Sequence, residues 1–218
     1  MVEVHDSYVR AIGSIDHPDT PGKLTLRVKE RQQNGQWARK GVNYLRSKFL
    51  KHMVGTEGWH PERSVELARD RIQQPLRLYP SLEPYNEPIT SDFGGFDFMT
   101  TAPNGTKVAI EWETGNISSS HRSMNKLAIA LGSGVVQVGV LIVPSRQLYD
   151  HLTDRIGNIG ELSGYLSMWE GLKSEVTSGL LAITVVEHDE LTDDSQFAYL
   201  TTGNDGRAAE GRNKSTNK

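Results

Sequence analysis

Two hydrophobic periods meet near residue 115, and the change between them marks the segment that organises the chain. Before it, apolar and polar positions alternate: one series is Val108, Ile110 and Trp112, and the other is Ala109, Glu111 and Glu113. This period of two predicts a β-strand with two carboxylates on one face. After it, apolar residues recur at the spacing of an amphipathic helix, at Met124, Leu127, Ala128 and Leu131. Short polar side chains between the two segments suit a helix N-terminus.

A second alternating stretch lies just upstream. Residues 95–101 are predicted to form a strand on which Phe96 and Phe98 face oppositely to Asp97. An Asn-Gly turn signal leads back into the strand of the two glutamates, so the two strands are predicted to form a hairpin. Side chains that face each other across a hairpin are close enough to interact. The pairing is therefore expected to bring Asp97 next to both glutamates.

The remaining periodic segments predict elements on either side of this hairpin. They are a strand at Leu24–Val28, a helix at Trp37–Met53, a helix that begins near Pro61 and buries Val65, Ala68 and Ile72, a buried strand at Val135–Val143, a short helix at Ser145–Leu152, a weaker helix at Glu161–Leu172 and a strand at Leu180–Glu187. This order predicts an α/β fold, with a central mixed β-sheet flanked by helices. We expect one domain over residues 1–200, followed by a flexible polar arm over residues 201–218.

Composition narrows the classes of protein to which this chain can belong. It has 218 residues and no cysteine, which excludes disulfides, cysteine-based zinc sites and a thiol nucleophile. No apolar run approaches the length of a membrane span, and the acidic N-terminus lacks the basic segment of a secretory signal. We therefore expect a cytoplasmic protein that does not bind a membrane.

The charges are unevenly distributed along the chain. The formal net charge is −3, but residues 27–51 contain eight Lys and Arg against a single acid, Glu30. A local basic surface is compatible with an enzyme that acts on nucleic acid, and the ordinary alternative is a solvated helix face.

Three acids on one sheet face repel one another unless a cation lies among them. Asp97, Glu111 and Glu113 offer the hard oxygen ligands that magnesium prefers. Two such ions about 4 Å apart would activate water for phosphodiester hydrolysis. The alternatives are a solvated strand face without metal and a paired-carboxylate glycosidase, although the basic neighbours favour an anionic substrate. The sequence contains no Walker loop, so no nucleotide cofactor is expected.

The residues around these acids resemble a known enzyme family. Residues 111–119 read EWETGNISS and residues 121–127 read HRSMNKL. Both segments closely resemble the catalytic strand and the following helix of the BamHI restriction endonucleases. Residues 147–155, which read QLYDHLTDR, are similar to the downstream recognition segment of that family. The resemblance implies a homodimeric type II restriction endonuclease that uses magnesium to hydrolyse both strands of palindromic double-stranded DNA.

The resemblance also implies roles for single residues. Asp97 and Glu111 become metal ligands, and Glu113, at a position that is lysine in most related nucleases, helps to bind metal or to orient the attacking water. Glu62 is implied as a further acid of the site, and Lys40 as a phosphate contact. The residues that match the family's base contacts are Asn116, Ser118, Arg122, Asp154 and Arg155.

The chemistry of these base contacts suggests a recognition sequence. Arginine pairs well with guanine, asparagine with adenine, and aspartate accepts a hydrogen bond from cytosine. Because all five positions agree with the family, the expected site is GGATCC, cut to leave five-prime overhangs. A related nuclease with another recognition sequence and a DNA-binding module without turnover are the alternatives. Taken singly, Asn116 and Ser118 are also explained as a helix cap, and Asp154 with Arg155 as a surface ion pair.

Two further expectations rest on the same resemblance. The helix Ser118–Leu131 resembles the family's dimer helix, so Met124, Leu127 and Leu131 are expected to be shared between the protomer core and a partner. Residues 203–207 are similar to the family's mobile C-terminal arm, which implies a contact with the minor groove of DNA.

Overall fold

The computed structural model describes residues 2–18, 21–64, 80–81, 83–84, 95–174 and 178–202. Within these ranges the helices are α1 Val2–Gly13, α2 Asn43–Gly55, α3 Ile117–Gly132, α4 Arg146–Asp150, α5 Ile159–Leu162 and α6 Leu166–Glu170, with short 3-10 turns at Ser163–Tyr165 and Gly171–Ser174. The strands are β1 Thr25–Arg27, β2 His60–Ser64, β3 Gly95–Thr101, β4 Lys107–Trp112, β5 Val138–Pro144, β6 Leu180–Val186 and β7 Glu190–Thr192.

The predicted α/β fold with a mixed central sheet is confirmed. The five-stranded sheet has the order β2-β3-β4-β5-β6. β2, β3 and β4 pair antiparallel, whereas β4, β5 and β6 pair parallel. A parallel crossover needs a long connection, usually a helix, and α3 provides it between β4 and β5.

The sheet separates two hydrophobic cores. Val138, Val140 and Ile142 of β5 pack in the first core together with residues of α1 and α2. Leu141 and Val143 alternate with them and pack in the second core, against α3. A strand that is buried on both faces has no polar alternation, which explains the continuous apolar run that predicted β5.

The β3–β4 hairpin is confirmed, but one predicted orientation is wrong. Phe98 pairs with Ile110 and packs in the first core, whereas Phe96 packs in the second. The paired residues end at Phe98 and Ile110. Beyond them the side chain of Asp97, rather than a backbone carbonyl, accepts the N–H of Trp112 at 2.8 Å. The regular alternation therefore stops where the ladder of β3 and β4 stops.

The helix predicted at Trp37–Met53 begins later than expected. Its apolar positions are buried as predicted, but α2 starts only at Asn43. The reason lies in the preceding backbone: Ala38 N–H donates to Glu30 O, and Gly41 N–H donates to Leu200 O. Because these donors serve distant segments, they are not available to a helix.

The helix predicted from Pro61 is also wrong at its start. Pro61 lies in strand β2 and pairs with Phe98 of β3, so pairing with a neighbouring strand overrides the helical pattern. Val65, Ala68 and Ile72, which this helix was expected to bury, lie outside the described residues. The weaker helix at Glu161–Leu172 is broken into short helical turns. The predicted strand at Leu24–Val28 is confirmed as β1, which pairs with β7, a strand that the sequence analysis missed.

Among the described residues, none of the helices combines the length and the apolar character needed to cross a membrane. The cytoplasmic location stays a prediction of the sequence.

Candidate active site

The three predicted acids lie at the end of the β3–β4 hairpin. Glu111 is on β4, and Glu113 follows that strand directly, with its N–H donating to Ile142 O of β5 at 2.9 Å. Both glutamates are buried, and Asp97 on β3 is half-buried. Two elements thus bring the carboxylates together, as the hairpin pattern predicted.

Asp97 is held by the backbone of β4 and by a cation from α2. Its Oδ2 accepts the N–H of Trp112 at 2.8 Å, and its Oδ1 lies 3.2 Å from the guanidinium of Arg46. The first bond keeps the carboxylate beside the strand that carries the two glutamates. The second brings a positive charge to the edge of the acid group.

Glu111 faces a buried cation from α3. Its Oε1 lies against the ammonium of Lys126, and the same ammonium donates to Gly95 O at 2.7 Å. Burial, and after it the charge of Asp97, raise the pKa of Glu111 to about 7, although Lys126 acts in the opposite direction. Burial disfavours the charged form of a carboxyl group, and like charges add to that effect.

Glu113 is turned towards the start of α3. Its Oε1 accepts the N–H of Gly115 at 2.6 Å. Its Oε2 is buried and accepts no hydrogen bond of standard geometry. Burial raises the pKa of Glu113 to about 7, against the lowering effect of Ser120 and of the Gly115 backbone. A buried carboxylate oxygen without a hydrogen bond is costly unless a cation or a proton compensates it.

The chemistry of this set fits a divalent cation. All three donors are carboxylate oxygens, which hard cations prefer. Two of them, Glu111 and Glu113, are buried, so their charged forms need a compensating charge. In the geometry of the structure, however, no group of three or more His, Asp or Glu side chains is placed to hold a metal ion among the described residues. The protein's own Arg46 and Lys126 lie against Asp97 and Glu111 instead.

The helix that follows the acids begins with a well-formed cap. Asn116 accepts the N–H groups of Ser118 and Ser119 at 3.0 and 3.3 Å, which is the usual role of an N-cap residue. The side chains of Asn116, Ser118 and Arg122 are all exposed. They are therefore accessible at the first turns of α3, directly after the acid-bearing strand.

The residues that directly follow the second predicted recognition segment pack against this helix start. Gly157 N–H donates to Gly115 O at 2.9 Å. A Cβ atom at Gly157 would lie 1.9 Å from the Ser120 hydroxyl oxygen, so only glycine permits this approach. Within the segment Arg155 is exposed, whereas Asp154 is half-buried and accepts the N–H of Val42 at 3.1 Å. The two predicted recognition segments are thus joined through residues 115 and 157.

Comparison with known proteins decides the family. A sequence profile described as restriction endonuclease BamHI matches residues 1–207 of the chain. This chain belongs to the BamHI family of restriction endonucleases. The type II restriction enzyme OkrAI of Oceanobacter kriegii is 35% identical to it over 168 residues, which are 77% of this chain and 73% of that protein.

Two further similarities were found. The type II restriction enzyme BamHI of Bacillus amyloliquefaciens is 48% identical over 65 residues, or 30% of each chain. The crystal structure of the restriction endonuclease BglII complexed with a DNA 16-mer aligns with a TM-score of 0.47 and 8% identity, covering 93% of this chain and 79% of that chain. The predicted enzyme class, a type II restriction endonuclease, is confirmed by the family match.

Lys40 is not placed as the BamHI resemblance implied. Its side chain is 0% exposed, and its ammonium donates to Arg27 O. Burial, and after it the nearby charge of Arg27, lower the pKa of Lys40 to about 8. An ammonium enclosed in this way does not reach a DNA phosphate, so we do not assign that role to Lys40.

The basic run at residues 27–51 is likewise not one solvated face. Arg27 pairs with Glu30, Arg46 with Asp97, and Lys48 with Asp16. Three of its basic side chains therefore form ion pairs within the protein.

The predicted dimer residues lie in the core of the single chain. Met124, Leu127 and Leu131 are 2%, 0% and 7% exposed and pack in the second core. They have almost no exposed surface left to share with a partner. Met124 and Leu131 also line a groove of about 490 Å³ between α3, α6 and β6, and Ile129, Leu166 and Met168 are exposed on these helices.

Two predictions fall outside the described part of the chain. Glu62 lies on strand β2 by its backbone, but its side chain is not among the described ones. Residues 203–207 of the C-terminal arm are not described either.

The sequence analysis missed two basic residues of the site, Arg46 and Lys126. Each sits on an amphipathic helix next to an apolar position, where a basic residue ordinarily reaches solvent. Only the packing of α2 and α3 on the sheet turns these two side chains towards the acids. The family resemblance drew attention to the residues around Lys126, but periodicity gave no signal for it.

Proposed function

We propose that this member of the BamHI family hydrolyses both strands of double-stranded DNA in a magnesium-dependent reaction, with Asp97, Glu111 and Glu113 as the acidic centre. The observation that carries the proposal is the pair of buried glutamates beside Asp97, whose charges need a cation. A bound magnesium ion would supply a Lewis acid for the attacking water and the leaving oxygen.

Each acid has a separate part in this proposal. Asp97 and Glu111 hold the cation, because they approach from the two strands of the hairpin. Glu113 orients the attacking water through Oε2, the oxygen that accepts no hydrogen bond of standard geometry. Glu62 stays a candidate for a further acid.

We propose that the exposed side chains around the start of α3 read the DNA. Asn116, Ser118, Arg122 and Arg155 present donors and acceptors to solvent, and Asp154, next to Arg155 in the sequence, is half-buried and accepts the N–H of Val42. This set supports the sequence GGATCC, cut to leave five-prime overhangs, because two arginines, an amide and an acid can specify two guanines, an adenine and a cytosine.

A palindromic DNA site has two-fold symmetry, which a symmetric protein dimer matches. We therefore also propose a homodimer. The groove between α3, α6 and β6 is the face that we assign to the partner copy, because apolar residues line it and its two helices carry the exposed Ile129, Leu166 and Met168. We assign the dimer interface to this face rather than to Met124, Leu127 and Leu131, which the sequence suggested and which are buried. The C-terminal arm after residue 202 stays a candidate for a minor-groove contact.

Replacement of Glu111 by alanine tests the proposed catalytic role. We expect Glu111→Ala to lose cleavage by at least about a thousandfold, because the hydrolysis depends on charge compensation at this carboxylate. Binding to a GGATCC duplex in calcium, measured by a gel shift at fixed salt, should stay within about threefold of the original protein.

The matched control is Glu3→Ala, which removes an exposed acid from α1. It should leave both cleavage and binding unchanged. Unchanged cleavage by Glu111→Ala would remove this residue from the mechanism. Binding to GGATCC without cleavage by the original protein would favour a DNA-binding module without turnover.

A further inference from the structure

Lys126 is a buried cation inside the acid cluster. It lies on α3, its side chain is 11% exposed, and its ammonium contacts both the Glu111 carboxylate and Gly95 O. The ammonium also lies 4.8 Å from the centre of the Phe96 ring. These three contacts come from β3 and β4, the strands that carry Asp97 and Glu111.

A buried ammonium is unfavourable unless it is paired, and a lysine is rarely buried for this reason. Here the ion pair stabilises both partners, because Glu111 is buried as well and lies close to the charge of Asp97. Lys126 therefore provides a positive charge beside Glu111, as Arg46 does beside Asp97. It does so from within the protein, without a bound ion.

The same contact has a consequence for cation binding. The ammonium and a divalent cation would both need Glu111 Oε1, and two positive charges a few ångströms apart repel each other. A cation can use that oxygen only after Lys126 moves away from it. The contact between Lys126 and Glu111 must then be exchanged for a contact between Glu111 and the incoming ion.

We propose that Lys126 is a positioning residue that occupies Glu111 in the metal-free enzyme and competes with the divalent cation for it. Lys126 thereby holds the carboxylate in place between turnovers and weakens cation binding. This inference rests on the proposed metal site at Glu111. A merely structural role, in which Lys126 ties α3 to Gly95, would have the opposite effect on cation affinity, since loss of the tie would disorder Glu111.

The test is calcium binding by isothermal titration calorimetry, without DNA, to the full chain and to Lys126→Met. Loss of the competing charge should tighten calcium binding about tenfold, since a neighbouring charge changes the proton affinity of a carboxylate by about ten- to a thousandfold. Lys126→Arg, which keeps the charge, should bind calcium within about twofold of the original protein. Lys107→Met is the matched control: it removes an exposed lysine from β4, the strand that carries Glu111, and should change nothing.

Each outcome decides between the two roles. Equal or weaker calcium binding by a folded Lys126→Met overturns the inference, because the competing charge would then be absent without effect. If circular dichroism shows that Lys126→Met does not fold, Lys126→Gln is measured with the same expectation, since it lacks the charge and keeps a donor. No calcium binding by the original protein would instead contradict the proposed metal site, which separates the two failures.

Discussion

At the scale of single residues, the chemistry of Glu111 and Glu113 depends on their burial. Water no longer stabilises their charged forms, and Asp97 adds a like charge, so the pKa of each rises to about 7. A cation at the site would reverse this effect, because an opposite charge favours the ionised carboxylate. The stability of the metal-free protein should therefore report the state of the two glutamates.

We predict that metal-free protein becomes less stable as the pH rises from about 5 to about 8. The pKa of both glutamates is higher in the folded chain than in the unfolded chain, where it is about 4.3. Their contribution to the free energy of unfolding is therefore fully present below that value and is lost as the pH rises through about 7. The loss should be on the order of 3 kcal/mol for each glutamate.

Thermal unfolding in EDTA across this range measures the effect. Glu113→Gln carries no charge at any pH, so it should reduce the fall in Tm. Glu57→Gln is the control: pairing with Arg10 lowers the pKa of Glu57, so its ionisation lies below this range. A Tm that rises with pH in the original protein would contradict the account.

The residue scale also shows which site residues the sequence could predict. The positions of Glu111, Glu113 and Asp97 follow from alternation along two strands and from one turn signal. The surroundings of Lys126 and Lys40 cannot be predicted in this way, because a long side chain can reach solvent or fold inward from the same backbone position. The contacts of Lys40 are with Arg27 and Thr153, which are distant in the sequence, so no local pattern reports its burial.

At the scale of elements, the connection between β4 and α3 joins the acids to the recognition loop. The N-cap at Asn116 starts the helix immediately after Glu113. Gly157 then brings the segment of Asp154 and Arg155 against the first turn. The relative position of these elements depends on a close contact that leaves no room for a side chain at residue 157.

We predict that Gly157→Ala lowers the rate of cleavage at the recognition site by about a hundredfold, since a displacement of about 1 Å can cost that much. The new Cβ would collide with the Ser120 hydroxyl oxygen. Ser120→Ala removes that oxygen but leaves the Ser120 Cβ at 3.1 Å and the Ile117 Cα at 3.3 Å from the added atom, so the double variant should recover only part of the lost rate in single-turnover cleavage. Gly164→Ala, where nothing lies within 4 Å of an added Cβ, is the matched control. Full activity of Gly157→Ala would show that this contact does not position the loop.

The elements themselves were predicted to different degrees. β4, α3 and β5 were evident from their periods because each keeps one pattern over its whole length. The start of α2 and the strand at Pro61 were mispredicted because their backbone bonds go to distant segments, Leu200 and β3. Local sequence does not contain those partners.

At the scale of the whole molecule, we propose a two-fold symmetric dimer that binds DNA and has one acidic centre in each chain. The family match establishes a type II restriction endonuclease of the BamHI family. The proposed sequence rests on five side chains at the α3 start and the loop beside it. A homodimer would place two such sets and two acidic centres on one palindrome.

The most direct measurement is to digest a DNA library of mixed sequence with the purified enzyme in magnesium and to sequence the fragment ends. The account predicts ends at GGATCC alone, each with a five-prime overhang, and no fragments when magnesium is removed with EDTA. Ends at another sequence would contradict the assigned base contacts. Fragments that persist in EDTA would contradict the acidic centre on which the account depends.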